Sequence, residues 1–455
     1  MSSRPPASAL AYWITQSGLS KAALAKAITE RARARGHTHI APDDSRVRGW
    51  LRGQRPRDPV PALLAEVLSS HCGQPLTPAD LGYGQADASS YRGPGDILTD
   101  LGEVTAAQLV AGPDLPPEPA AEPHQPEIAL ARLERWAYGH PHPLPTGHGR
   151  RLGLSDARRI ARQTDVFREM DNAHGGGASL MAATGHLASV ATTVRTGRYT
   201  EPTGRALYRQ VADLAGVVGW MSHDAAQWQA SVRYLTLAVH AARESNDREL
   251  TAHLLQCLAR VWGYLGRADT AADCIGLALY GARSAHPVLR AGLHALGGRF
   301  AALQGQETEA LRHITQALEL FAQEHDQDLP PFAAYLNEAE LQSTCGEVLL
   351  FLSRTSGHSH HARDAVTMLT SAEHNRPEER ARSRAFDSIG AARSLLVIDD
   401  LDGAREAGLR ALDVGADLSS VRVRRRFKDL HREAGRTPSE ITHDLQERIT
   451  QALAT

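Results

Sequence analysis

Through residues 151–455, apolar positions recur at three- and four-residue spacing with few interruptions, the signature of amphipathic helices packed on one another. Five segments share one register: "ASVRYLTLAVHAAR" from Ala230, "DTAADCIGLALYGAR" from Asp269, "TEALRHITQALELFA" from Thr308, "ARDAVTMLTSAEHN" from Ala362 and "DGAREAGLRALDVGA" from Asp402. A small residue stands at Ser231, Ala271, Ala310, Ala365 and Ala404, and seven residues later comes Ala238, Ala278, Ala317, Ala372 and Ala411. Steps of 40, 39, 55 and 39 separate these second alanines. Small side chains two turns apart let helices approach closely, so the pattern predicts a solenoid of helix pairs with one insertion. The long step contains "HDQDLPPF" and "RTSGHSH", both expected to be surface loops.

The N-terminal pattern is different. "SALAYWITQSGLS" predicts a helix stopped near Gly18, and Ser20 can cap a second, "KAALAKAITERARAR", ended by Gly36. A third follows Asp43 and Asp44, either of which can cap it. It is bounded by Gly53 and Pro56, and Pro59 and Pro61 introduce a fourth, "ALLAEVLSSHCG". Within "DDSRVRGWLRGQRPR", Val47, Trp50 and Leu51 share one face and can seat on Leu63, Leu64 and Val67. Ser45, Arg46, Arg48, Gly49 and Arg52 are left outward, with Gly49 permitting close approach of a partner.

Between these regions lies a stretch rich in proline, glycine and acid, including "GPDLPPEPAAEPHQPE". It predicts a linker over residues 85–150 with short helices, one of them around Leu98 to Val110. The domain plan is therefore 1–84, 85–150 and 151–455. Charge follows that plan. Although the whole chain has a net charge of −2, residues 1–84 carry eleven Lys and Arg against six Asp and Glu, and residues 86–130 carry one Arg against eight acids. Such asymmetry points to a basic binding module followed by an acidic tether. No apolar run reaches the length of a membrane span and no signal segment stands at the N-terminus, so a cytoplasmic protein is expected. The four cysteines, Cys72, Cys257, Cys274 and Cys345, form no CxxC pair and are expected to be buried free thiols.

"GLSKAALAKAI" followed by "SRVRGWLRGQRP" resembles the helix-turn-helix of lambda-repressor-like, Xre-type regulators, although the link between the two helices is longer and Leu51 replaces a common Glu. The long link, "RVRGWLRGQRPRDPVPALLAEVLS" and "LTPADLGY", with central stretches such as "FREMDNAHGGGASL", is similar to an actinobacterial subgroup. Its members join such a domain to C-terminal tetratricopeptide-like repeats, and they include negative regulators of sporulation and antibiotic production. The resemblance implies an all-α protein with those two domains, acting as a homodimeric repressor on double-stranded DNA. Carried onto this chain, it makes Ser45, Arg46, Arg48 and Arg52 the base or near-base contacts, and Lys21, Gln54 and Arg55 the phosphate contacts. The alternative is a helical-repeat scaffold or adaptor with a degenerate helix-turn-helix.

No enzyme, cofactor or metal site is expected. "HPHPLPTGH" and "GHSHHARD" read as loop histidines, Gly175–Gly177 as a bend, and Asp399, Asp400 and Asp402 as caps in a turn between helices. The remaining candidate is the inner face of the repeats. There Trp220, Trp228, His253, Trp262, Tyr264 and His294 are placed to receive a peptide or small-molecule effector, with core packing as the competing account.

Overall fold

The structure is a computed structural model. It describes residues 10, 13–14, 17–51, 54, 56–57, 59–72, 78, 81, 83, 94–112, 133, 137–139, 141–323, 328–415, 418 and 420–454. It is all-α: the described residues form helices and no strand beyond an isolated bridge between Arg151 and Arg198. The chain divides into two compact units, Met1–Tyr91 and Arg92–Thr455. Among the described residues no helix is long and apolar enough to cross a membrane.

In the first unit, α1 (Lys21–Ala34), α2 (Asp44–Leu51) and α3 (Val60–Cys72) close over a small core. Ser20 caps α1 by accepting from the Ala23 N–H at 3.1 Å, and Gly36, at a φ of +81°, turns the chain out of it. Asp43, rather than Asp44, caps α2: its Oδ1 accepts from the Arg46 N–H at 2.8 Å. Val47 and Trp50 are buried with Leu24, Ile28, Leu63, Leu64 and Val67, while Leu10 and Ile14 cover the same core. Glu66 of α3 ties down the end of α1 through Arg31 at 3.6 Å and Arg35 at 2.8 Å.

The second unit begins inside the segment predicted as a linker. There α4 (Pro94–Ala111) packs against α6 (Leu180–Thr196) and α8 (Trp228–Glu244). Buried Gln108 holds it, accepting from the Tyr234 hydroxyl at 2.6 Å and the Thr184 hydroxyl at 3.3 Å while donating to Gln227. Much of the acidic stretch, residues 113–132, lies outside the described residues.

After α5 (Leu154–His174), helices pair in chain order. These are α7 (Glu201–Asp224) with α8, α9 (Arg248–Tyr264) with α10 (Ala268–Gly281), α11 (Pro287–Leu303) with α12 (Glu307–Phe321), α13 (Glu338–Thr355) with α14 (Ser359–Asn375), and α15 (Ala381–Val397) with α16 (Leu401–Gly415). A last pair, α17 (Val421–Ala434) and α18 (Glu440–Ala454), packs on α15 and α16. The small residues at 231, 271, 310, 365 and 404 and the alanines at 238, 278, 317, 372 and 411 are all fully buried, one pair of seams per second helix. Side chains this small leave the helix backbones room for close packing.

One predicted loop folds inward instead. Pro331–Ala333 of the insertion form a short 3-10 turn, and Phe332, 3% exposed, packs its ring 5.0 Å from that of His253. An aromatic side chain next to two prolines gains more from burial than the loop gains from solvation. Gly175–Gly177 is a bend as expected, and the reason is tertiary. The Gly176 N–H donates to Asp224 at 3.1 Å, and a Cβ at Gly176 would stand 2.7 Å from the Met221 backbone. Asp400 caps α16 through the Gly403 N–H at 3.0 Å.

Candidate functional site

The first candidate is the outer face of α2. Ser45, Arg46 and Arg48 are exposed there, opposite the buried Val47 and Trp50. Arg48 pairs with Asp44 one turn earlier, which raises its already high pKa through that hydrogen bond and charge. Lys21, at the first turn of α1, and Gln54, after α2, are exposed. Arg52 and Arg55 lie outside the described residues. Gly49 does not open the exposed face as expected. The chain turns back after α2, the Gln54 N–H donates to the Gly49 carbonyl at 3.0 Å, and the Gln54 side chain lies where a Cβ at Gly49 would go. Gly49 is there to let Gln54 close, and it is buried.

The second candidate is a cleft of about 380 Å³ in the second unit, walled by the first helices of successive pairs with α5, α17 and the insertion. Of the six residues expected on this face, Trp220, His253 and Tyr264 line the cleft. Trp228 stands behind Tyr264, ring centroids 4.7 Å apart, and also packs on His223. Trp262 is core, 2% exposed. His294 is turned to His313, Nδ1 to Nδ1 at 3.0 Å, and is not part of the wall.

Arginine dominates the cleft, and the aromatic reading missed it. Arg168, Arg260, Arg299, Arg376, Arg380, Arg382, Arg393, Arg422, Arg425 and Arg426 all line it, against Asp171, Asp213, Glu340, Glu347 and Asp429. Most are held by carboxylates. Arg168 meets Asp213 at 2.7 Å, Arg376 meets Glu340 at 3.0 Å, and Arg393 meets Glu433 at 2.8 Å. Glu347 sits between Arg299, at 3.0 Å, and Arg426. Burial would raise the Glu347 carboxyl, but those two guanidiniums hold it down at about 2. Aromatic faces carry several of the same arginines. Arg422 lies 4.9 Å from the centre of Trp220, Arg425 4.2 Å from Tyr264, and Arg426 4.2 Å from Phe386.

Buried histidines here are neutral. Burial, reinforced by nearby Arg422, pushes His223 well below its ordinary value, and burial with Arg168 and Arg260 takes His253 to about 3. Burial pushes the Cys257 thiol up to about 12, so it is protonated and unreactive. Cys257, Cys274 and Cys345 are buried, and the Cys72 side chain lies outside the described residues.

The histidines of "GHSHHARD" are not all in a loop. His361 belongs to α14, is 3% exposed, and lies with its Nε2 2.7 Å from Glu307 Oε1; His358 Nδ1 is 3.2 Å from the same oxygen. These hydrogen bonds lower the Glu307 pKa. One donor atom from each residue falls within 4.8 Å of the others, a set able to hold a divalent ion, though hydrogen bonding within the set already accounts for it.

The SP15 N-terminal domain family matches residues 10–84, which fall within the first compact unit. No curated protein matches the chain.

Proposed function

We propose that this chain is a sequence-specific, DNA-binding transcriptional regulator of the Xre type. Residues 10–84 act as a lambda-repressor-like helix-turn-helix domain, and the stacked helix pairs act as a tetratricopeptide-like sensor of a ligand or partner. The observation that carries this reading is the division of α2 into two faces. Val47 and Trp50 lock it to a core already braced by capped α1, while Ser45, Arg46 and Arg48 remain exposed on the opposite side.

A short, anchored helix presenting guanidinium forks suits the major groove, where Arg binds guanine O6 and N7 in bidentate fashion. Arg48 would exchange Asp44 for a base edge or phosphate, so Asp44 tempers indiscriminate binding. Lys21, at the N-terminal end of α1, and Gln54 flank that face as backbone contacts. Two such domains on one duplex read half-sites about one helical turn apart, so the active species is a homodimer. Repression of development or secondary metabolism is the role that the resemblance implies.

The test is binding of the full chain to duplex DNA over a range of salt, by fluorescence anisotropy. The native protein should prefer one sequence. Arg46→Ala with Arg48→Ala should lose that preference with unchanged circular dichroism; equal binding by the double variant would refute the assignment of α2.

A further inference from the structure

The geometry points to the arginine-lined cleft as the binding site of a small phosphorylated ligand, of about nucleotide size. This deepens the sensor reading above and rests on it. Four observations converge.

The cleft measures about 380 Å³, within the range of small-molecule pockets and too small to seat a folded partner.

Its positive charge is not fully used. Ten arginines and five acids line the walls, and four further carboxylates, Asp165, Asp224, Asp387 and Glu433, pair with those arginines from outside the wall. Arg380 and Arg425 have no carboxylate partner among the described residues; Arg425 donates only to the Tyr264 carbonyl, at 3.1 Å.

Two guanidinium donors are stranded. The Nε atoms of Arg260 and Arg299 are buried and have no hydrogen-bond acceptor, although both residues line the cleft. Arg260 has its nearest carboxylate, Glu340, at 3.7 Å, and Arg299 shares Glu347 with Arg426. Burial above all, opposed by Glu347 and aided by Arg426 and Arg260, brings the Arg299 guanidinium down to about 10. Buried donors without acceptors are rare in proteins and call for an acceptor from elsewhere.

Several guanidinium groups already have aromatic support. Arg422, Arg425, Arg299 and Arg426 lie over the rings of Trp220, Tyr264, Phe351 and Phe386, which limits their freedom before any ligand arrives. Planar forks held this way match phosphate oxygens in bidentate fashion. A phosphoryl group offers three terminal oxygens to several forks at once, where a carboxylate offers two. The ten arginines come from α5, α9, α11, α15, α17 and the turn between α14 and α15, so one polyanion would bridge elements that are far apart in sequence. That bridging gives the ligand a means to change how the helix pairs lie against one another.

The experiment is titration calorimetry on the full chain, without DNA, using ATP, GTP, inorganic pyrophosphate and citrate. At least one phosphorylated probe should saturate with a Kd on the order of 10 µM, and citrate should bind at least about tenfold more weakly. Nucleotides binding more tightly than pyrophosphate would assign the ligand a ring; equal affinities would assign a free phosphate compound. Arg380→Gln and Arg425→Gln orphan no carboxylate, so both should fold as judged by circular dichroism, and each should weaken the phosphorylated probe about tenfold. The proposal is overturned if no phosphorylated probe saturates at about 1 mM. It is equally overturned if citrate matches the phosphorylated probes, or if both variants bind like the native chain. Because no DNA is present, failure here leaves the reading of α2 intact, and failure of DNA binding leaves this result intact.

Discussion

Asp224, at the end of α7, accepts from Arg422 of α17 at 2.8 Å, a bond between residues 198 positions apart that joins an early helix pair to the last. Arg382 of α15 reaches the other oxygen of the same carboxylate at 2.9 Å and meets Asp171 of α5 at 3.2 Å. Ser420 and the Gly176 N–H complete its partners. Burial would raise the Asp224 carboxyl, yet the two guanidiniums hold it far below the usual carboxylate range, so it stays charged. Arg382 and Arg422 both line the cleft, so this knot also fixes part of its wall.

Asp224→Asn should therefore be costly. It leaves the buried Arg422 guanidinium without its anion and Arg382 with Asp171 alone, a loss of about 3–5 kcal/mol, well beyond a surface change. Urea unfolding followed by circular dichroism checks this. A loss under about 1 kcal/mol would mean that the knot does not hold the two ends of the unit together.

In the first unit, anchoring and recognition should separate cleanly. Trp50→Ala removes a buried indole and should destabilise that unit by about 3–5 kcal/mol. Arg46→Ala, on the exposed face, should change stability by less than about 0.5 kcal/mol while weakening DNA binding. Thermal unfolding of the two variants beside anisotropy with DNA decides it; equal destabilisation would show that Arg46 is structural.

Lys21 should contribute through phosphate alone. Lys21→Ala is expected to weaken binding to all sequences evenly and to reduce the slope of log affinity against log salt by about one unit. A change in sequence preference at constant slope would place Lys21 on a base instead.

Acid should weaken the second unit. An unfolded histidine titrates near 6.5, whereas His253 titrates at about 3 in the fold and His223 well below its ordinary value. Below pH 6.5 the unfolded chain binds protons that the folded chain refuses. The stability they contribute is full above that pH and falls as pH drops toward 3, by up to about 1.4 kcal/mol per pH unit for each histidine. Urea unfolding at intervals from pH 7.5 to 5 should show the decline, and His253→Gln should make it shallower. An unchanged slope in that variant would exclude His253 as a contributor.

The helix pairs were legible because packing fixes residue size at the seams: Ala238, Ala278, Ala317, Ala372 and Ala411 announce close contacts without regard to what surrounds them. The cleft was less so. Trp262 and Tyr264 are two residues apart on α9, yet one fills the core and the other lines the cleft, and an aromatic side chain suits either place. The arginines escaped notice because arginine on an amphipathic helix ordinarily reads as a solvated face. Their signal was local: Arg260 in "CLARVWGY" and Arg299 in "GGRFAAL" stand among small and apolar neighbours, where a solvated cation is out of place. Gly49 was misplaced because its burial depends on Gln54, five residues on, folding back across the end of α2.

The central claim is best tested by selecting bound sequences from random duplex DNA with the full-length protein at physiological salt. The account predicts an enriched motif with two-fold symmetry that disappears when Arg46 and Arg48 are both changed to Ala. A folded native protein that enriches no motif would contradict it and move the function to the helix pairs alone.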